Sequence, residues 1–260
     1  MVLDFEDRRF GYDEAGTGRP LLLLHGFPYR RGFWEPQLGA LPARTVAVDL
    51  PGFGESSALS EEPNLEAFVT ALRVFCRGLG IVRPAVAGHS FGGYIALAWA
   101  RLFPGEMSGI CLVASRATAD SREAAGNRLS MAAAMLAGAD PAPLVEAMPA
   151  KMLCRSRNRT EGQRVVRSLM DPLRPEGIAA AQKAMANRPD ASGSLPAIGL
   201  PALVLAGEED QLIPLSESGI VAAALPQGRL VVPPKSGHFV SREAPKESNA
   251  AISDWLSRID

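Results

Sequence analysis

Residues 88–93 read Gly-His-Ser-Phe-Gly-Gly, so Ser90 has a glycine two positions away on either side, Gly88 and Gly92. An apolar run of strand length, Ala85-Val-Ala87, precedes this stretch, and a helix-period pattern from Phe91 to Phe103 follows it. A serine at so sharp a strand-to-helix turn has its hydroxyl lifted clear of a sheet. Small residues on both flanks let the turn close without clashes. The turn also aims the N-terminus of the next helix at the hydroxyl, where backbone N–H groups can bind an anion. A hydroxyl is a weak nucleophile, so this chemistry needs a base within reach. The chain has three histidines, His25, His89 and His238, and only His238 lies beyond the serine and its immediate neighbour.

Other chemistries find less support. Three isolated histidines without an H-E-x-x-H pair leave a hydrolytic zinc ion without ligands, so no metal is expected. The serine mechanism needs no cofactor. Cys76, Cys111 and Cys154 are widely spaced and form no C-x-x-C, which argues against a zinc knuckle or a dithiol redox site. Their odd number fits a reducing compartment better than a disulfide framework.

The elements that must position Ser90 follow from the hydropathy pattern. The runs Leu21-Leu-Leu-Leu24, Thr45-Val-Ala-Val48, Ala85-Val-Ala87 and Ile110-Cys-Leu-Val113 read as strands buried on both faces of a parallel sheet. Residues 3–12 read as an antiparallel lead-in hairpin. Asn64 to Leu79 has a 3.6-residue apolar period, with Asn64 as N-cap and Gly80 as the stop. Strand and helix alternate again at the end: Ala202 to Ala206, a helix over 215–225, Leu230 to Val232, and a helix over 243–259.

Residues 116–190 break this alternation. They hold no strand-like run and read as helices at 121–138, 142–153, 161–170 and 175–186, punctuated by prolines. Six of the eight methionines fall there, which suits either an adaptable apolar pocket or the packed core of the helices themselves. The segment has 12 basic and 8 acidic residues, against 15 and 20 elsewhere. The pattern predicts an α/β fold, with a mostly parallel sheet flanked by helices and an all-helical cap inserted into it. Residues 1–115 and 191–260 would form the core, and 116–190 the cap.

Composition narrows the partners. With 27 Lys plus Arg and 28 Asp plus Glu, the chain has a net charge of −1. That argues against nucleic acid, which favours a strongly basic face, and against a polybasic membrane anchor. The N-terminus is too charged for a signal peptide. The longest weakly polar run, residues 131–139, is far short of the roughly 20 residues of a spanning helix. A cytoplasmic protein acting on a small molecule is expected, and a homodimer built on the cap is compatible with the charge.

The turn at Ser90, His25-Gly26-Phe27-Pro28 and Asp49-Leu-Pro-Gly-Phe-Gly-Glu-Ser56 together resemble the α/β-hydrolase family with a helical cap, over essentially the whole chain. The resemblance implies the order serine, acid, histidine. His238, in Ser236-Gly237-His238-Phe239, is then the general base. The acid comes from Gly207-Glu208-Glu209-Asp210-Gln211-Leu212-Ile213-Pro214, which is similar to the family's G-x-x-D-x-x-x-P loop, with Asp210 at the acid position. Glu208 and Glu209 are expected to be solvated neighbours. Asp120 is the alternative acid, since some relatives place theirs after the preceding sheet strand. The resemblance also implies an oxyanion hole from the N–H groups of Phe27 and Phe91, because Pro28 has none to give. His25 and His89 are expected to be structural.

Ser90 at the nucleophile position excludes the relatives that use a carboxylate there to open epoxides or displace halide. Parts of the cap, Ser115 to Ala125 and Met185 to Asp190, resemble bacterial carboxylesterases related to 3-oxoadipate enol-lactonases. The expected activity is hydrolysis of short- to medium-chain acyl esters through an acyl-enzyme. Two alternatives stay open. One is an enol-lactonase or C–C bond hydrolase of aromatic catabolism, with Arg155, Arg157 and Arg159 meeting an anionic substrate. The other is a small-molecule sensor that keeps the hydrolase pocket.

Overall fold

The computed structural model describes residues 1–155 and 159–259. Eight strands form one sheet: β1 Val2–Phe5, β2 Arg8–Ala15, β3 Pro20–Leu24, β4 Arg44–Val48, β5 Ala85–His89, β6 Gly109–Val113, β7 Ala202–Leu205 and β8 Gly228–Val231. Their order is β1-β2-β4-β3-β5-β6-β7-β8. The pairings from β4 onward are parallel, and only β1–β2 and β2–β4 are antiparallel. The lead-in hairpin turns at Glu6 and Asp7, both at positive φ, as a two-residue hairpin turn requires.

The continuous apolar runs have the origin expected of them. Leu22 and Leu24 face one core, with Val46, Val86 and Leu112. Leu21 and Leu23 face the other, with Ala47, Ala87 and Val113. All four leucines are fully buried, and each contributes roughly 1.5–3 kcal/mol of burial energy. Helices α1 Leu65–Gly78 and α2 Phe91–Leu102 cover the first face. The Asn64 side chain caps α1 by accepting the Ala67 N–H at 2.8 Å. Trp34, Ile252 and Trp255 fill the second face.

Among the described residues four α-helices lie between β6 and β7: α3 Arg122–Leu136, α4 Ala142–Met152, α5 Arg159–Ser168 and α6 Pro175–Ala186. They form the helical cap. Five of its six methionines, Met135, Met148, Met152, Met170 and Met185, are buried. Met148, Met152, Met170 and Met185 pack into the clusters on the two faces of the sheet and Met135 into a cluster of the cap itself, so the enrichment serves packing, mostly of cap against core; Met131 is half-exposed.

After β7 the chain forms α7 Leu215–Ala224, then β8, then α8 Val240–Glu243 and α9 Pro245–Leu256. The helix expected over 243–259 is α9, which starts two residues later and ends at Leu256, and the short α8 precedes it. Pro245 pushes Ala244 out of the helical region, to φ −127 and ψ 62, and the chain restarts with proline in the first turn. Among the described residues no helix is long and apolar enough to cross a membrane.

Candidate active site

Ser90, Asp210 and His238 all lie beyond the carboxyl ends of parallel strands, where open α/β sheets build their sites. Ser90 follows β5 directly, at φ 49 and ψ −109, a backbone conformation that costs of order 1–3 kcal/mol. The surroundings hold it there. The Ser90 N–H donates to the Val113 carbonyl, and its own carbonyl accepts from Gly93 N–H, Tyr94 N–H and Ser115 Oγ. A side chain at Gly88 would lie 2.2 Å from the Gly92 carbonyl oxygen, and one at Gly92 would lie 2.4 Å from that of Leu24. The two glycines are a steric necessity of the turn.

Asp210 and His238 meet directly. Asp210 Oδ2 is 2.9 Å from His238 Nδ1, and both side chains are 2% exposed. The other carboxylate oxygen accepts from the Leu212 and Ile213 N–H groups at 2.8 and 3.0 Å. These bonds fix the carboxylate plane, and with it the tautomer of the imidazole: Nδ1 carries a proton toward Asp210. Ser90 is not hydrogen-bonded to His238 in this conformation. Its neighbour links the two segments instead, since His89 Nε2–H donates to the His238 carbonyl at 2.9 Å.

His89 is buried and stacks on Phe33 with ring centroids 4.2 Å apart. Burial, with a smaller contribution from His238, pushes it well below the usual histidine range, so it stays neutral. Its Nδ1 has no hydrogen-bond partner among the described residues. Gly26 packs against that nitrogen so closely that a Cβ there would lie 2.3 Å away. His25 is structural in a different way. Its Nε2 accepts the Leu50 N–H at 2.9 Å, and its Nδ1 is 2.9 Å from the Gly26 carbonyl. Burial takes it down to about 4. Asp49 organises the neighbouring loop: its carboxylate accepts from the N–H groups of Arg31 and Glu55 and pairs with the Arg31 guanidinium.

Phe91 N–H is the first amide of α2, and Phe27 lies in the loop after β3. Among the described residues neither N–H has a protein acceptor. Two donors flanking the elbow are therefore free to meet a ligand oxygen. The Phe27 ring is half-buried and packs against a cluster of cap residues, Ala132, Met135, Ile178 and Ala179.

Asp120, the alternative acid, is held elsewhere. Its buried carboxylate pairs with Arg116, Arg128 and Arg188, which ties both chain crossings between sheet and cap to α3. Burial alone would raise its pKa, but the hydrogen bonds and charges of Arg188 and Arg128 outweigh that and bring it from 3.8 to about 2. A carboxyl lowered on folding stabilises the folded state above its unfolded pKa. Here that is about 2 kcal/mol above pH 4, lost as pH falls from 4 toward 2. Asp120→Asn leaves three arginines short of a counter-charge, and it is expected to cost about 2–4 kcal/mol at pH 7. Urea denaturation measured from pH 7 to pH 3 checks this: the gap to wild type should narrow on acidification, and a constant gap would refute the assignment.

Glu208 is exposed, as expected of a solvated neighbour, and Glu209 is half-buried; both also serve loop backbone. Glu208 accepts the Lys235 N–H at 2.8 Å, and Glu209 accepts the Arg155 N–H at 2.9 Å. Loop backbone leaves such N–H groups without partners, and the carboxylates supply them. The Arg155 guanidinium donates to Gln211 at 3.0 Å. Arg157 and the side chain of Arg159 lie outside the described residues. Glu243 was missed by sequence reasoning; it accepts the Gly237 N–H, next to His238, and no local pattern marks it.

The strand order, the strained serine turn and the carboxylate–histidine pair define a class, and comparison with known proteins agrees. The chain belongs to the α/β hydrolase fold family, which matches residues 19–245. It is similar to a thermophilic esterase from Thermogutta terrifontis solved with malate bound, at 35% identity and a TM-score of 0.92, covering 99% of this chain and 98% of that one. It is 30% identical to the putative carbamate hydrolase RutD of Caulobacter sp. (strain K31), over 94% of this chain and 92% of the relative. It is 31% identical to the dihydrolipoyllysine-residue acetyltransferase component of the acetoin cleaving system of Pseudomonas putida, over 94% of this chain; the match spans 65% of that protein's length.

Proposed function

We propose that the protein is a carboxylic ester hydrolase acting on short- to medium-chain acyl esters. The observation that carries this is the buried Asp210–His238 hydrogen bond, set beside a strained Ser90 at the carboxyl ends of the sheet. Ser90 Oγ attacks the ester carbonyl while His238 Nε2 takes its proton. Asp210 stabilises the imidazolium without taking the proton. The N–H groups of Phe27 and Phe91 hold the oxyanion. His238 then protonates the leaving alcohol, and water resolves the acyl-enzyme by the same transfers in reverse. The similarity to a bacterial esterase supports the choice of ester as substrate. Phe27 packs against the apolar cap cluster of Ala132, Met135, Ile178 and Ala179, and on this reading that side of the cap takes the acyl chain.

A panel of p-nitrophenyl esters from acetate to decanoate tests this. Turnover should be highest for short to medium chains. No turnover on any member by folded protein would sink the proposal. Turnover confined to carboxylate-bearing lactones would point instead to a lactonase.

A further inference from the structure

Three stretches of backbone distant in sequence are stacked beside His238. A Cβ on Gly207 would lie 2.0 Å from the Gly237 carbonyl oxygen, and one on Gly237 would lie 2.6 Å from the Cys154 nitrogen. The acid loop, the base loop and the end of cap helix α4 therefore touch backbone to backbone, at positions that admit no side chain. The Phe239 N–H donates to the Met152 carbonyl at 3.0 Å. Cys154 Sγ donates to the Lys235 carbonyl at 3.2 Å. On the acid side, Glu209 N–H donates to the Ser236 carbonyl at 2.7 Å, and Gln211 Nε2 donates to the Leu153 carbonyl at 3.3 Å.

One side chain spans the junction. Glu243, at the end of α8, accepts the Gly237 N–H at Oε2 and the Cys154 N–H at Oε1, both at 2.8 Å. Both donors lie in loop backbone, where no ladder or helix supplies an acceptor. Two oxygens on one ionised group can satisfy both, and such charge-assisted bonds are about twice as strong as neutral ones. Gly237 is the residue immediately before His238.

We propose that Glu243 is a positioning residue for the general base: its carboxylate clamps the His238 loop to the cap, so that cap placement and imidazole placement are set together. This rests on the reading of His238 as base. Glu243 acts through the Gly237 amide and does not touch the reacting atoms. Reaction rate is sensitive to such placement, since a displacement of about 1 Å at a catalytic group can cost roughly 100-fold.

The test compares wild type, Glu243→Gln and Glu243→Ala. Gln keeps the shape but offers a single acceptor oxygen, so one of the two N–H groups faces an NH2. On the best p-nitrophenyl ester, kcat should fall about 10-fold for Gln and up to about 100-fold for Ala, with KM within about threefold. Amide hydrogen exchange, read by mass spectrometry on the folded proteins, should rise together in residues 150–155 and 235–239. An unchanged kcat in folded variants overturns the proposal, and so does exchange that rises in only one of the two segments or in neither. If wild type turns over no ester, the ester-hydrolase reading fails, and the exchange measurement alone then decides whether the clamp exists.

Discussion

Replacing Ser90 by alanine is expected to lower kcat by roughly five to six orders of magnitude while the protein stays folded. The size of the effect follows from what is removed. Without Oγ no acyl-enzyme forms, and the remaining acceleration comes from the oxyanion donors and from binding alone, about 1,000- to 10,000-fold over water. Folding should survive because the turn is held through main-chain groups that alanine keeps: the N–H to Val113, and the carbonyl that accepts from Gly93, Tyr94 and Ser115 Oγ. Stopped-flow release of p-nitrophenol, and covalent labelling by a fluorophosphonate, are the measurements. Wild type should show labelling at one serine, lost in Ser90→Ala. Labelling that persists, or more than about 1% of residual turnover, would move the nucleophile elsewhere.

Asp210→Asn should cost about 10,000-fold in kcat, with KM little changed, for a reason specific to this site. The Leu212 and Ile213 N–H groups both point at Oδ1 and need an acceptor there. The asparagine oxygen is therefore held in that position, and its NH2 is turned toward His238 Nδ1. A donor there forces Nδ1 to accept and leaves the ring proton on Nε2, the atom that must receive the serine proton. The side chain keeps its size and its loop bonds, so thermal unfolding should change little. A loss of less than about tenfold would mean that another carboxylate orients the base. Asp120 is not available for that role, because its oxygens are occupied by three arginines.

The sequence was informative wherever a structural requirement is local. Leu21 to Leu24 is apolar at every position because both faces of β3 are buried, so the run alone announces an interior parallel strand. Gly88 and Gly92 are demanded by a turn that spans six residues, so the elbow was legible from its own letters. Asp210 was singled out by its loop pattern, and the structure brings it to His238. The start of the last helix at Pro245 was legible too; setting it at 243 overlooked that proline disfavours helix in the residue before it.

What sequence could not decide were the contacts between segments that only the folded chain brings together. Cys154 and Glu243 are 89 residues apart, and His89 and His238 are 149 apart. No periodicity or spacing encodes such a pair. The backbone N–H groups that Glu208, Glu209 and Glu243 accept from are not visible until the chain is folded. Ser90, the proposed nucleophile, was marked by turn geometry, which is written locally, and Asp210 and His238 by resemblance to short family patterns. The residues that hold them in place were chosen by the unpaired backbone donors of other loops, and those become neighbours only when sheet and cap close on each other.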